Sequence, residues 1–184
     1  MTSLVLMLCS SIVLVLACAA PSKSSTVPAD SSAGMVLVST AFEDGESIPI
    51  RYSLYGENVS PDLSWNKAPE GTKSFALICR DPDAPAGTYY HWVLFNIPEN
   101  VRGLPEGLAR TGTLAAGGIQ GRNSFHRVGY DGPKPPSGTH RYYFDLYALD
   151  ARPALDQAAT ADRVLEAMKG HVLAQASLMG RYER

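Results

Sequence analysis

The chain has 184 residues, 45% of them hydrophobic and 18% charged, which is the composition of a globular protein and not of a disordered chain. Sixteen Lys and Arg stand against eighteen Asp and Glu, a net charge of −2, so no basic face is expected and nucleic acid is excluded as an expected partner. With a leader and linker set aside, about 150 residues remain, the size of one domain around a single core.

Leu4 to Ala17 is a nearly unbroken apolar stretch, short for a bilayer span and suited to the core of an export signal. It ends Val15-Leu16-Ala17-Cys18, which resembles a lipobox, the motif in which a small residue precedes a Cys that is lipidated after cleavage. Residues 1–17 are therefore expected to be a lipoprotein-type signal peptide. Cys18 becomes the lipidated, membrane-anchored N-terminus, and the Ser-, Ala- and Pro-rich residues up to 34 form a flexible tether. No Lys or Arg precedes the apolar core, and Leu16 is larger than is usual at its place. Alternative readings are cleavage elsewhere, as after Ala20, and an uncleaved apolar anchor. Once Cys9 leaves with the leader and Cys18 is acylated, Cys79 remains as the only thiol and no intrachain disulfide forms. Its setting, Phe75-Ala76-Leu77-Ile78-Cys79, is that of a small buried hydrophobe and not of a nucleophile.

From residue 35 to 184 one domain is expected. The sixteen Gly and thirteen Pro lie mostly between hydrophobic runs, the pattern of short strands joined by turns. Strands are predicted at Met35–Phe42, Ile48–Leu54, Ser74–Arg80, Tyr89–Ile97 and Arg141–Leu149, all rich in β-branched, aromatic and aliphatic residues. In the last of these Tyr142, Phe144, Leu146 and Ala148 share one face, which is the alternation of a half-buried strand. Val164, Leu165, Met168, Val172 and Met179 recur at helical spacing between Thr160 and Gly180, which predicts an amphipathic C-terminal helix packed on the sheet. No internal repeat is present.

Three segments concentrate titratable and turn-forming residues. In Asp81-Pro82-Asp83-Ala84-Pro85 two prolines fix φ and withhold two donors, so the loop is stiff and holds both carboxylates in fixed directions; an Asx-type turn is the plainer reading. Tyr90-His91-Trp92 places a histidine inside a strand, a position that more often makes a satisfied core residue than a ligand. The Gly/Pro segment from Tyr130 to Thr139 leads into His140 and Tyr142, which share a strand face, so imidazole and phenol converge on one place.

The sequences DPDAP, HW and YDGPKPPSGTHRY, with IPIRYSLYGENVSPDLSW upstream and GHVLAQASLMGRYER at the end, resemble the signature segments of the phosphatidylethanolamine-binding protein family, in its compact bacterial, Raf kinase inhibitor-like branch. The resemblance runs from about Met35 to Arg184. It implies a mainly β fold, a Greek-key antiparallel β-sandwich with the C-terminal helix alongside. It also implies a pocket for phosphate or a phospholipid head group, lined by Asp81, Pro85, His91, Gly132, Pro135, Pro136, His140 and Tyr142, with Asp83 bracing its loop. Lys134 stands where many family members have a small or neutral residue, and either adds a cation to the rim or blocks it. Such a site suits an anion: histidine and tyrosine donate hydrogen bonds, and Asp81 orients a neighbouring imidazole.

Neither a nucleophile elbow, an HExxH pair, a paired CxxC nor a P-loop is present in the sequence. A non-catalytic binder without cofactor or metal is therefore expected, anchored in the bacterial envelope on the extracytoplasmic side. Two other readings stay open: an inhibitor of a kinase or protease, by family analogy alone, and a hydrolase or metal enzyme using His91, His140 and Asp81.

Overall fold

The computed structural model describes residues 34–184. The expected signal peptide, Cys18 and tether lie outside the described residues, apart from Gly34. The domain consists of β1 (Val36–Val38), β2 (Leu63–Asn66), β3 (Ser74–Asp81), β4 (Tyr89–Pro98), β5 (Gly103–Leu104), β6 (Ile119–Gln120), β7 (Thr139–Leu149), α1 (Ala161–Ala167) and β8 (Val172–Glu183). Two antiparallel sheets form, one ordered β1-β2-β5 and the other β6-β4-β3-β7-β8. Residues 99–138 carry the chain from β4 to the far side of β3, where β7 pairs, the long return connection of a Greek key.

Strand β3 is buried along almost its whole length because both faces of its sheet are covered. Phe75, Leu77 and Cys79 point into the core between the sheets, where Leu37, Trp65, Trp92, Leu94, Phe144 and Leu146 meet them. Ala76 and Ile78, on the opposite face, pack with Val93, Phe95, Val164 of α1 and Met168 just past its end. Full burial of each large aliphatic or aromatic side chain stabilises the fold by about 2 kcal/mol. In β4 the alternation is broken at Asn96, which has φ of 55° and sits in a register irregularity between Leu94 and Ile97. The extra residue returns Ile97 to the inter-sheet core that Leu94 occupies.

The chain after Thr160 corrects one expectation. A helix does pack alongside the sheet, but it ends after Ala167, and Val172–Glu183 is an edge strand paired with β7 from Leu149 to Thr139. Gly170, with φ of 79°, takes the left-handed conformation that terminates the helix, ten residues before the expected stop at Gly180. Beyond it Ala176, Leu178, Gly180 and Tyr182 are buried while Gln175, Ser177, Arg181 and Glu183 are exposed, a period of two. Gly180 belongs to that strand because a Cβ there would stand 2.4 Å from Ile48 and 2.8 Å from the Phe42 ring.

Two predicted strands also shrink. Of Met35–Phe42 only Val36–Val38 pairs; immediately afterwards Ser39 Oγ and the Thr40 N–H both donate to the Asp62 carboxylate, which turns the chain out of the sheet. Ile48–Leu54 holds a 3-10 turn at Ile50–Tyr52, since Pro49 supplies no ladder donor, and only Ser47 bridges to β8.

Candidate functional site

A cavity of about 300 Å³ opens where the C-terminal end of β3, the start of β4 and the start of β7 come together. Asp81, Pro85, His91, Pro136 and His140 line it, as do Ala84, Ala86, Tyr89, Phe125 and Lys134.

Asp81 is the last residue of β3 and is 3% exposed. Its Oδ1 accepts the Asp83 N–H at 2.8 Å, the Asx turn that the DPDAP segment predicts, and its Oδ2 lies 2.7 Å from His140 Nδ1. A carboxylate only accepts, so Nδ1 carries the proton and His140 presents Nε2 as its other nitrogen. Asp83 turns away from the cavity. Its carboxylate takes the Arg141 side chain at 2.7 and 2.9 Å and the Arg141 backbone N–H at 2.9 Å, tying the loop to β7. Those guanidinium bonds hold the Asp83 carboxyl down to about 2.

His91 is clasped by the Gly/Pro segment. Its Nδ1 donates to the carbonyls of Asp131 at 2.7 Å and Gly132 at 3.1 Å, while its own carbonyl accepts the Asp131 N–H at 3.0 Å. Rings of Tyr89, Phe125 and Tyr142 stand edge-to-face around the imidazole at centroid distances of 5.1 to 5.5 Å. Burial, with 3% of the residue exposed, lowers the His91 pKa below 6.5 despite the two carbonyl bonds, so at neutral pH the ring is neutral and Nε2 carries a lone pair.

Tyr142 lies behind His91 and Asp81 and is fully buried. Among the described residues its hydroxyl has no hydrogen-bond partner of normal geometry. Burial, then the neighbouring Asp81 charge, push its pKa up, and the Lys134 backbone amide faces it from the loop. The Lys134 side chain is exposed at the cavity rim.

Three expected wall residues, Tyr142, Gly132 and Pro135, do not line the cavity. Gly132 stands behind it: its N–H donates to Asn58 Oδ1 at 2.8 Å, and a Cβ would lie 1.9 Å from the Tyr52 carbonyl, so only glycine fits. Pro135 is buried, and its carbonyl accepts the Tyr55 hydroxyl at 3.2 Å. Both shape the segment that grips His91 without reaching the cavity.

Asp131, absent from the expected set, fixes that segment. It is fully buried, and its carboxylate accepts Arg110 at 2.8 Å, Asn123 at 2.7 Å and Asn58 at 3.2 Å, with Arg127 at 3.0 Å. Burial pushes its pKa up, but the bonds from Arg110, Asn123 and Asn58 outweigh it and leave the carboxyl below the usual range. Asn123 Oδ1 in turn accepts the N–H groups of Phe125 and Arg127, both at 3.0 Å, and so sets the loop that brings Phe125 to the cavity. Among the described residues no three His, Cys, Asp or Glu side chains converge as metal ligands.

A model of the phosphatidylethanolamine-binding protein family matches residues 38–183. A UPF0098 protein of Methanothermobacter thermautotrophicus is 52% identical over 150 residues, which are 82% of this chain and 99% of that protein. The UPF0098 protein YbhB of Escherichia coli is 41% identical over 80% of this chain and 99% of its own length. Among solved structures, Escherichia coli YbcL, described as a member of the mammalian family, superimposes with a TM-score of 0.78 at 34% identity, covering 83% of this chain and 99% of that one. A phosphatidylethanolamine-binding protein homologue of Chlamydia trachomatis gives 0.75 at 40% identity, over 82% and 98%. On sequence match, fold and strand arrangement together, the chain belongs to the phosphatidylethanolamine-binding protein family.

Proposed function

We propose that the domain is a non-catalytic binder of phosphate-class anions. The observation that carries this reading is the convergence of His91 and His140 on one cavity, each with Nδ1 committed to an acceptor behind it and Nε2 left for a ligand. The cavity is about the smallest size that small-molecule sites take, room for a phosphoryl group with a short substituent. Apolar walls from Ala84, Pro85, Phe125 and Pro136 lower the local dielectric and strengthen each bond to an anion. Neither Ser, Thr nor Cys is among the lining residues, which favours binding over covalent turnover. The apolar stretch ending in Ala17-Cys18 supports a lipid-anchored protein of the bacterial envelope, with the cavity held near a membrane.

Calorimetric titration of the full chain with inorganic phosphate at pH about 6 tests the binding reading. Saturable binding at one site, weakened about tenfold or more in a folded His140→Ala variant, is expected. Absence of saturation, or hydrolysis of a phosphate ester that disappears in His91→Ala, would replace it. Labelled palmitate entering the wild type and not Cys18→Ser tests the anchor.

A further inference from the structure

We propose that the cavity selects oxyanions that bring their own proton, namely monoanionic inorganic phosphate and phosphate monoesters, over sulfate and phosphodiesters. The proposal rests on the anion-binding reading of the same cavity and divides the ligands which that reading leaves together.

The argument turns on which groups facing the cavity accept and which donate. His91 Nδ1 is committed as a donor to two backbone carbonyls, at 2.7 and 3.1 Å, neither of which can return a proton. The remaining nitrogen of the neutral ring is an acceptor, and burial of the residue disfavours a second proton. Asp81 adds a buried carboxylate at the same cavity, with acceptor capacity beyond its bonds to the Asp83 N–H and His140. Every element packed around His91 contributes: Asp81 from β3; Tyr89 from its own strand; His140 and Tyr142 from β7; Lys134 and Asp131 from the Gly/Pro segment. Arg110 and Arg127 both bind the Asp131 carboxylate and offset its charge. Lys134 is the cationic side chain among the lining residues, and it sits at the rim. The wall beneath it is thus rich in acceptors.

A fully deprotonated oxyanion turns only lone pairs toward such a wall. Sulfate at neutral pH is one; a phosphodiester, the form phosphate takes inside a phospholipid head group, is another. Each would meet the His91 lone pair and the Asp81 carboxylate with no hydrogen between them, leaving buried acceptors unpaired. Monoanionic phosphate carries P–OH groups that donate to these acceptors while its remaining oxygens take the Lys134 rim. A phosphomonoester keeps one such proton below its second ionisation, at about pH 6. The same logic gives the pH response: affinity for a monoester falls as pH rises through that ionisation, and affinity for sulfate grows only on acidification, when His91 gains a proton at Nε2.

The test is calorimetry on the full chain with inorganic phosphate, methyl phosphate, dimethyl phosphate and sulfate at pH about 6 and about 8. At the lower pH, phosphate and methyl phosphate should bind about tenfold or more tightly than sulfate and dimethyl phosphate, and the gap should shrink at the higher pH. Sulfate and dimethyl phosphate that match phosphate within about twofold would overturn the selectivity and leave the anion-binding reading standing. No binding of any of the four at either pH would overturn both. His91→Gln, if folded, should narrow the preference, and an unchanged preference would remove His91 as its source; the wild-type comparison decides the matter without that variant.

Discussion

Two carboxylate–imidazole pairs stand at opposite ends of the β7–β8 ribbon with almost the same contact distance. Asp81 and His140 meet at 2.7 Å where β7 begins, and Asp150 and His171 meet at 2.8 Å just beyond the other end, where the Asp150 N–H also donates to the His171 carbonyl. Their side chains differ in exposure: 4% for Asp81 and 8% for His140, against 45% for Asp150 and 49% for His171. Water competes for every bond of the exposed pair and screens its charge, so little is lost when it opens. The buried pair is nearly out of reach of water at the wall of a cavity shared with Pro85 and Phe125, and a partner removed there leaves its mate unpaired. Contact distance alone therefore says little about which pair matters; the packing that covers it does.

The most severe way to break the buried end is through Asp131, on which Arg110, Asn58 and Asn123 all converge. Asp131→Ala should lower the free energy of unfolding by about 3 kcal/mol, less than a fully buried triad would show because Arg110 and Arg127 reach solvent. Equilibrium denaturation measures it, and a loss below about 1 kcal/mol would mean that water replaces the carboxylate.

Asp81→Ala should have the next largest effect, a loss of about 2 kcal/mol, because both His140 Nδ1 and the Asp83 N–H lose their acceptor. The matching change at the exposed end, Asp150→Ala, should stay within about 0.5 kcal/mol. Equal losses from the two variants would break the contrast.

Acidification sharpens it further through His91. Burial holds its pKa below 6.5 in the folded state, so between that lowered value and 6.5 the unfolded chain binds more protons than the folded one. Stability from this residue is complete above pH 6.5 and is lost as pH falls through the window. The buried carboxylate Asp131, whose pKa is also lowered, acts in the same sense but in a more acidic window: its contribution is present above 3.8 and is lost only at lower pH. Unfolding free energies measured from pH 7 down to pH 5 should therefore decline more steeply in the wild type than in His91→Phe. Parallel profiles would show that His91 titrates normally.

How much of this was readable beforehand follows from how local each signal is. Strands β3, β4 and β7 were legible because their apolar residues run continuously or alternate within a few positions. Strand β8 was misread because Val164, Leu165, Met168, Val172 and Met179 fit a helical spacing across Gly170, whereas its true partner is a strand that precedes it by more than a helix. Asp81 and His140 stood out beside the rigid loops that flank them, whereas His91, inside a strand, was singled out only by the family resemblance. Gly132 and Pro135 were legible as important but not as lying behind the cavity, since a sequence does not tell which side of a loop faces a ligand. Asp131 escaped because Asn58 is 73 residues away and Arg110 is 21 away, and no period links them. Tyr89 and Phe125 escaped for a simpler reason: an aromatic ring in a strand or loop looks the same whether it packs on a core or walls a cavity.

The smallest expected effect is the coupling within the exposed pair, and it is the cleanest measure of what burial adds. A double-mutant cycle of Asp150→Ala and His171→Ala isolates the pairwise energy, provided each single change creates no new contact. Both side chains are half in water, so the gain from their contact is offset by the entropy of holding two flexible groups in one geometry. The cycle should return about 0.2 to 0.5 kcal/mol, and raising salt to about 1 M, where the screening length falls to about 3 Å, should reduce it toward zero. The parallel cycle of Asp81→Ala and His140→Ala should return more than about 1 kcal/mol and, in a chloride salt, respond less to ionic strength, because buried pairs are screened less than exposed ones. Two cycles of the same size and the same salt response would mean that the cover over Asp81 and His140 opens readily, and that the cavity is wetter than its apolar walls imply.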